Sequence, residues 1–309
     1  MEQRFLVRIS QMYYEENMSQ QEIADELKIS RIKVSRSLKK AKKKGIIKVL
    51  IDYQGTFINL EQKLKRKYNL NDVIIVENSL DNNAKNQIQQ AGAEYLKTKL
   101  NDGDTIAVGW GTTLKGIPHY MHNFYVENVT FTPIIGGHSV DHSQIHSSTI
   151  ALEMAMKIDG EAVTLNAPAL VPSVEEKLTL MNNKAMMSVL RQSAAADIAL
   201  FSLGNPLFSE SSIHDMKYFS EKDLLELKEN KVVCDFISID FLNKYGEQQS
   251  PKISERTIGL KIEELLKIPI KICLVNGEEK YESVLAALRA RYIDVLIIDN
   301  KTADYLINV

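Results

Sequence analysis

The apolar positions of the chain keep one period in its first fifty residues and another beyond them. At the start they recur at helical spacing. Phe5, Ile9, Met12 and Tyr13 mark a helix over about residues 3–16, Ile23, Ala24 and Leu27 a short second one, and Val34, Leu38 and Ala41 a third. Ser19 with Glu22 three positions on is a capping box, the hydroxyl accepting from the third amide while the carboxylate reaches back to the cap. Ser30 caps the third helix, which runs to about Lys44, and Gly45 ends it where the backbone turns left-handed. With Lys28-Ile29 as the turn between them, the second and third helices predict a helix-turn-helix. Residues 46–51 read as a short strand, the wing of a winged-helix-like domain.

Beyond that point the pattern alternates. Phe57, Leu60 and Leu64 predict a connecting helix to Tyr68, a candidate dimerisation element. Short β-branched runs follow at residues 73–76, 105–108, 129–135, 198–203, 232–237, 270–275 and 295–298. Amphipathic stretches at about 84–100, 113–121, 148–157, 182–195, 221–228 and 280–290 separate them. Strands alternating with helices imply a Rossmann-like, mostly parallel α/β sheet covered on both faces. The expected organisation is a DNA-binding domain over 1–53, a linker helix over 54–70 and an effector domain over 71–309.

Charge sharpens the picture. The 309 residues carry a net charge of −2, yet residues 1–52 hold twelve Lys/Arg against seven Asp/Glu. Between Lys28 and Lys48 there are ten basic residues and no acidic one. A basic run of that density on a helix-turn-helix suits phosphate contact with double-stranded operator DNA. No apolar run approaches the roughly 18 residues of a membrane span, the N-terminus lacks a signal-peptide pattern, and Cys234 and Cys273 sit singly in apolar stretches. Membrane, secreted and disordered classes are set aside, and a cytoplasmic protein is expected.

The candidate chemistry falls into two groups. Opposite its buried stripe, at about 100° per residue, the third helix presents Ile32, Arg36, Lys39 and Lys43 to a major groove. Arg36 suits a bidentate contact to guanine and Ile32 a thymine methyl, while Ser30, Arg31, Lys33 and Lys40 position phosphates. Ser19, Gln20 and Ser35 complete the candidate DNA contacts. The second group lies in loops after strands, where open α/β sheets hold their ligands: Gly109, Trp110, Gly111, Thr112 and Thr113; Gly136, Gly137 and His138; Asp235; and Gly277 with Lys280. Together they predict one effector pocket for a small sugar or sugar phosphate. His138, His142 and His146 have a spacing that one helical face would turn into a zinc site. The Ser-rich segment after Gly-Gly does not favour a regular helix, so pocket lining or a subunit contact is expected, with no metal or other cofactor.

The order of these features resembles the SorC family of bacterial sugar-responsive transcriptional regulators over nearly the whole chain. The resemblance is carried by Met18–Ala24, Ile29-Ser30-Arg31, Val34-Ser35-Arg36, Gly109–Thr113, Gly136-Gly137, Ala286-Ala287-Leu288, Tyr292, Leu296–Asp299 and Thr302-Ala303. It implies a homo-oligomer, a dimer of dimers, acting as repressor or activator, with an effector domain that resembles sugar-phosphate isomerases in fold but does no chemistry. It also implies a phosphorylated effector at the Gly-Thr-Thr turn, the Gly-Gly loop and the late lysine. The chain departs from the family where Val275-Asn276-Gly277 replaces Ala-Gly-Gly and two glutamates precede Lys280, and where Ile135 stands in place of a Schiff-base lysine. Two alternatives remain: an isomerase- or deaminase-like enzyme with a DNA-binding head, and a regulator whose degenerate pocket binds nothing.

Overall fold

The computed structural model describes residues 2–48, 56–78, 84–137, 140–208, 219–249 and 251–309. The chain divides into two compact units, Met1–Gly55 and Thr56–Val309.

The first unit holds α1 (Glu2–Tyr14), α2 (Gln20–Glu26) and α3 (Arg31–Lys43). Ile9, Met12, Ile23, Ala24, Val34 and Leu38 form its core, one apolar stripe from each helix. Both halves of the capping box form: the Glu22 amide donates to Ser19 Oγ at 3.2 Å, and the Ser19 amide to Glu22 Oε2 at 2.7 Å. Ser30 Oγ likewise accepts from the Lys33 amide. The α2–α3 turn is made by Lys28 at a left-handed φ of 51°, and the chain leaves α3 through Gly45 at 70°. Ile46 and Ile47 form a bend and Lys48 carries no regular structure, rather than the first half of a strand. The rest of the expected wing, residues 49–51, lies outside the described residues.

The second unit begins with α4 (Ile58–Tyr68). This helix, expected as a linker, packs its fully buried Leu64 into the core of the second unit, against the strand that follows it and the C-terminal helix Asn300–Asn308. Tyr68 Oη and Lys67 Nζ donate to the Leu306 carbonyl at 2.7 and 3.1 Å. The strands are β1 (Asp72–Val76), β2 (Thr105–Val108), β3 (Thr130–Pro133), β4 (Glu161–Ala162), β5 (Ile198–Phe201), β6 (Val232–Phe236), β7 (Asp240–Asn243), β8 (Gln248–Gln249), β9 (Ile270–Val275) and β10 (Val295–Asp299). Among the described residues, seven of them form one parallel sheet in the order β1-β10-β9-β5-β2-β3-β4. Successive side chains enter opposite cores: Ile106, Val108, Leu200, Ile272 and Leu274 on one face, Ala107, Phe201, Cys273, Val275 and Ile298 on the other. Burial on both faces explains the near-continuous apolar runs.

Several details differ from the pattern-based expectation; the C-terminal helix Asn300–Asn308 and the short strand β4, for example, were not expected. The run at 232–237 is not a strand of the parallel sheet; β6 pairs antiparallel with β7, and β7 with β8, in a separate small sheet. The helix expected over 113–121 stops at Lys115 and resumes as a 3-10 turn, Ile117–Tyr120, because Pro118 lacks the amide that a continuing α-helix would bond. Val174–Met181 is an additional helix with no buried residue, so it carries no apolar stripe to betray it.

Candidate functional sites

The chain runs outward from β2 to β3 and β4 on one side of the sheet, and from β5 to β9 and β10 on the other. The reversal between β2 and β5 is where an open α/β sheet leaves a crevice beyond its carboxyl ends. A cleft of about 780 Å³, open to solvent, occupies that place. The loop after β2 gives it Trp110, Gly111, Thr112 and Thr113; the loop after β5 gives Ser202, Leu203, Gly204 and Asn205; the loop after β9 gives Asn276, Glu279 and Lys280. Lys85, at the start of α5 (Ala84–Lys99), and Asp235 with Ile237 complete the wall.

The small sheet brings in Asp235. Its amide donates to the Gly204 carbonyl at 2.8 Å and its carbonyl accepts from the Gly204 amide at 3.2 Å, which stitches β6 to the loop after β5. The carboxylate, 2% exposed, accepts from the Ser238 amide at 2.6 Å and from Ser238 Oγ at 3.1 Å. Those bonds hold a turn in which Ile237 and Ser238 both sit at a φ of 60°, a conformation costly for a β-branched side chain. Burial pushes the Asp235 carboxyl up to about 7, the two Ser238 bonds oppose the shift, and Asp240 adds to it.

The cations of the cleft are Lys85 and Lys280. Burial pushes the Lys280 ammonium below lysine's ordinary value; Glu279 works against that shift and Lys85 adds to it. Burial also lowers Lys85, with Lys115 contributing. Neither ammonium makes an ion pair or hydrogen bond with another described residue. Desolvated ammoniums without partners are stabilised by a ligand anion. Ser202 Oγ, enclosed in the wall, likewise has no hydrogen-bond partner among the described residues.

Of the effector residues expected from sequence, Trp110, Gly111, Thr112, Thr113, Asp235 and Lys280 come together here. Gly109 packs instead on Phe201, whose Cβ would lie 3.1 Å from a Cβ at 109. Gly136 and Gly137 serve chain-to-chain packing: their amides donate to the Ile258 and Ala167 carbonyls, and a Cβ at Gly136 would stand 2.6 Å from two carbonyl oxygens. Gly277 lies beside the cleft and donates its amide to Asp299 Oδ2. His138 lies outside the described residues. A kink at His142 prevents a regular helix through His142 and His146. Sequence reasoning missed Lys85 and the Ser202–Asn205 loop as site residues; strand ends point to the loop, but nothing local marks Lys85.

In the first unit, the outward face of α3 presents Ile32, 66% exposed, with Arg36, Lys39 and Lys43 beside it. Lys33 and Lys40 flank that face toward α1: the Lys33 ammonium lies over the Phe5 ring, and Lys40 pairs with Glu2, which Lys44 also approaches at 3.3 Å. Arg31 is exposed at the first turn and Ser35 half-buried. Ser19 and Ser30 use oxygen lone pairs in capping, so their hydroxyl protons stay free to donate. Gln20 opens α2 next to Ser19.

A sugar-binding domain family model (Sugar-bind) matches residues 53–308, most of the chain, and a Crp-like helix-turn-helix model matches residues 4–67. The deoxyribonucleoside regulator of Bacillus subtilis is 30% identical over 99% of this chain and 98% of its own. The sorbitol operon regulator of Klebsiella pneumoniae is 29% identical over 98% of each chain. The chain belongs to the SorC family. The crystal structure of the full-length Klebsiella regulator superposes with a TM-score of 0.77 over 98% of each chain, and a DeoR-family regulator from Listeria monocytogenes with 0.73 over 81% of this one. A SorC-family chain is a transcriptional regulator that joins a helix-turn-helix unit to a sugar-binding domain, and both are present here. No helix among the described residues is long and apolar enough to cross a membrane.

Proposed function

We propose that this chain is a cytoplasmic repressor of a sugar or polyol catabolic operon, released or tightened on its operator by a phosphorylated sugar or polyol in the cleft. The observation that carries the reading is the pair of ammoniums of Lys85 and Lys280, with no hydrogen bond or ion pair among the described residues, in one cleft with the hydroxyls and amides of Thr112, Thr113, Ser202, Asn205 and Asn276. The lysines suit an anion, and the hydroxyls and amides a polyhydroxyl body. In a homo-oligomer, a dimer of dimers, two copies of α3 place Arg36, Ile32, Lys39 and Lys43 on half-sites in successive major grooves. Ser19, Gln20, Ser30, Arg31, Lys33, Ser35 and Lys40 hold phosphates beside them. Effector binding acts by favouring one subunit arrangement over another. In this reading the domain binds its effector without converting it.

The test is a melting-temperature panel of sugars and polyols, each with and without phosphate, on the full-length protein. A ligand at 100 times its Kd stabilises by about 2.7 kcal/mol. One phosphorylated compound should raise the melting temperature, and Lys280→Ala should abolish the rise. A response confined to unphosphorylated compounds would overturn the anion assignment. The enzyme reading has one observation in its favour, an Asp235 carboxyl poised to about 7; turnover of any stabilising ligand would establish it.

A further inference from the structure

The loop after β9 carries its own anion. Gly277 has a left-handed φ of 103°, and a Cβ on it would stand 2.3 and 2.4 Å from Oε2 and Oε1 of Glu279. The Glu279 carboxylate is therefore folded back over the Gly277 Cα, a placement that any side chain at 277 would disturb. Lys280 follows it in the chain and Lys85 lines the same cleft from α5, while Glu278 precedes it and Asp299 accepts from the Gly277 amide. Glu279 acts on Lys280 through space without closing an ion pair with it. A ligand anion drawn to the two lysines meets this carboxylate as a like charge at the same wall.

We propose that Glu279 is an internal anion that competes with the ligand's anionic group for Lys280 and so sets the charge selectivity of the cleft. The proposal rests on the reading of the cleft as an anion site. A phosphate dianion overcomes that competition more readily than a singly charged carboxylate, because its attraction to each ammonium is greater. Neutral polyols bind without that competition.

The test is isothermal titration of the full-length protein and of Glu279→Gln, which keeps size and hydrogen-bonding capacity but removes the charge. The probes are inorganic phosphate, a hexitol and the hexitol 6-phosphate. The expected result is phosphate binding about tenfold tighter in E279Q, equivalent to about 1.4 kcal/mol, with hexitol affinity unchanged. Should E279Q not fold, Glu279→Ala moves phosphate affinity in the same direction. Equal or weaker phosphate binding by the variant overturns the proposal while leaving the anion site standing. Weaker hexitol binding would make Glu279 a hydroxyl acceptor and also overturn it. Failure of both proteins to bind either phosphate compound overturns the proposal and the anion site together.

Discussion

Arg36→Ala separates the DNA contact from everything else the chain does. Arg36 lies exposed on α3, opposite Val34, Leu38 and Ala41, and its guanidinium has no hydrogen bond or ion pair with another described residue. Alanine is at least as good a helix former, so the free protein should change stability by no more than about 0.5 kcal/mol. The whole cost then falls on the complex. A bidentate guanine contact is worth about 1–3 kcal/mol, a loss of roughly 5- to 160-fold per half-site. A symmetric dimer with two independent half-sites loses about twice that free energy. The assay is fluorescence anisotropy on a duplex obtained by selection from random sequence, with every base pair of the half-site then varied. R36A should bind the selected duplex more weakly and stop distinguishing bases at one position. Arg31→Ala, by contrast, should weaken all sequences alike and reduce the salt slope by about one. Unchanged affinity together with unchanged base preference in R36A would refute the reasoning.

Ser19→Ala removes one half of the capping box and frees the other, and should cost about 1 kcal/mol of stability in the first unit, read from a urea melt. Gly136→Ala places a Cβ against the Ala167 and Pro168 carbonyl oxygens and should destabilise the second unit by about 1–3 kcal/mol, although Gly136 does not line the cleft. Asp235 titrates near 7 in the folded protein against about 3.8 ordinarily, so the folded state binds the proton more tightly between those values and stability falls as pH rises through that window. Denaturation midpoints from pH 4 to 8 should show that fall in the wild type and a flatter profile in Asp235→Asn.

Most of the first unit was legible because its signals are local: the Ser19–Glu22 capping box, the Ser30 cap and three apolar stripes each lie within one turn of the element they specify. Six of the seven parallel strands were legible for a similar reason, since burial on both faces demands unbroken apolar runs; the two-residue edge strand β4 has no such run. That same rule hid the small sheet. Val232–Phe236 is as apolar as the parallel strands, and its partner β7 follows a turn at Ile237-Ser238 that holds left-handed angles without Gly or Asn. The Asp235 carboxylate supplies what glycine ordinarily would, by bonding Ser238 from two residues outside the turn. In the cleft, residues at strand ends were predictable from topology, but Lys85 is an ordinary lysine opening an amphipathic helix, and only folding brings it to the β9 loop. Gly136 and Gly137 show the converse. Paired glycines signal close backbone approach, and here what approaches is the chain's own segment at Ala167-Pro168.

The central claim, that occupation of the cleft controls the helix-turn-helix, is tested most directly by anisotropy of the selected duplex with full-length protein across the phosphorylated and unphosphorylated panel. The account predicts that one phosphorylated sugar or polyol shifts the DNA affinity by roughly 5- to 150-fold, the range of ordinary allosteric coupling. It also predicts that Lys280→Ala binds the duplex normally but loses the shift. A ligand that raises the melting temperature yet leaves DNA affinity unchanged would contradict it.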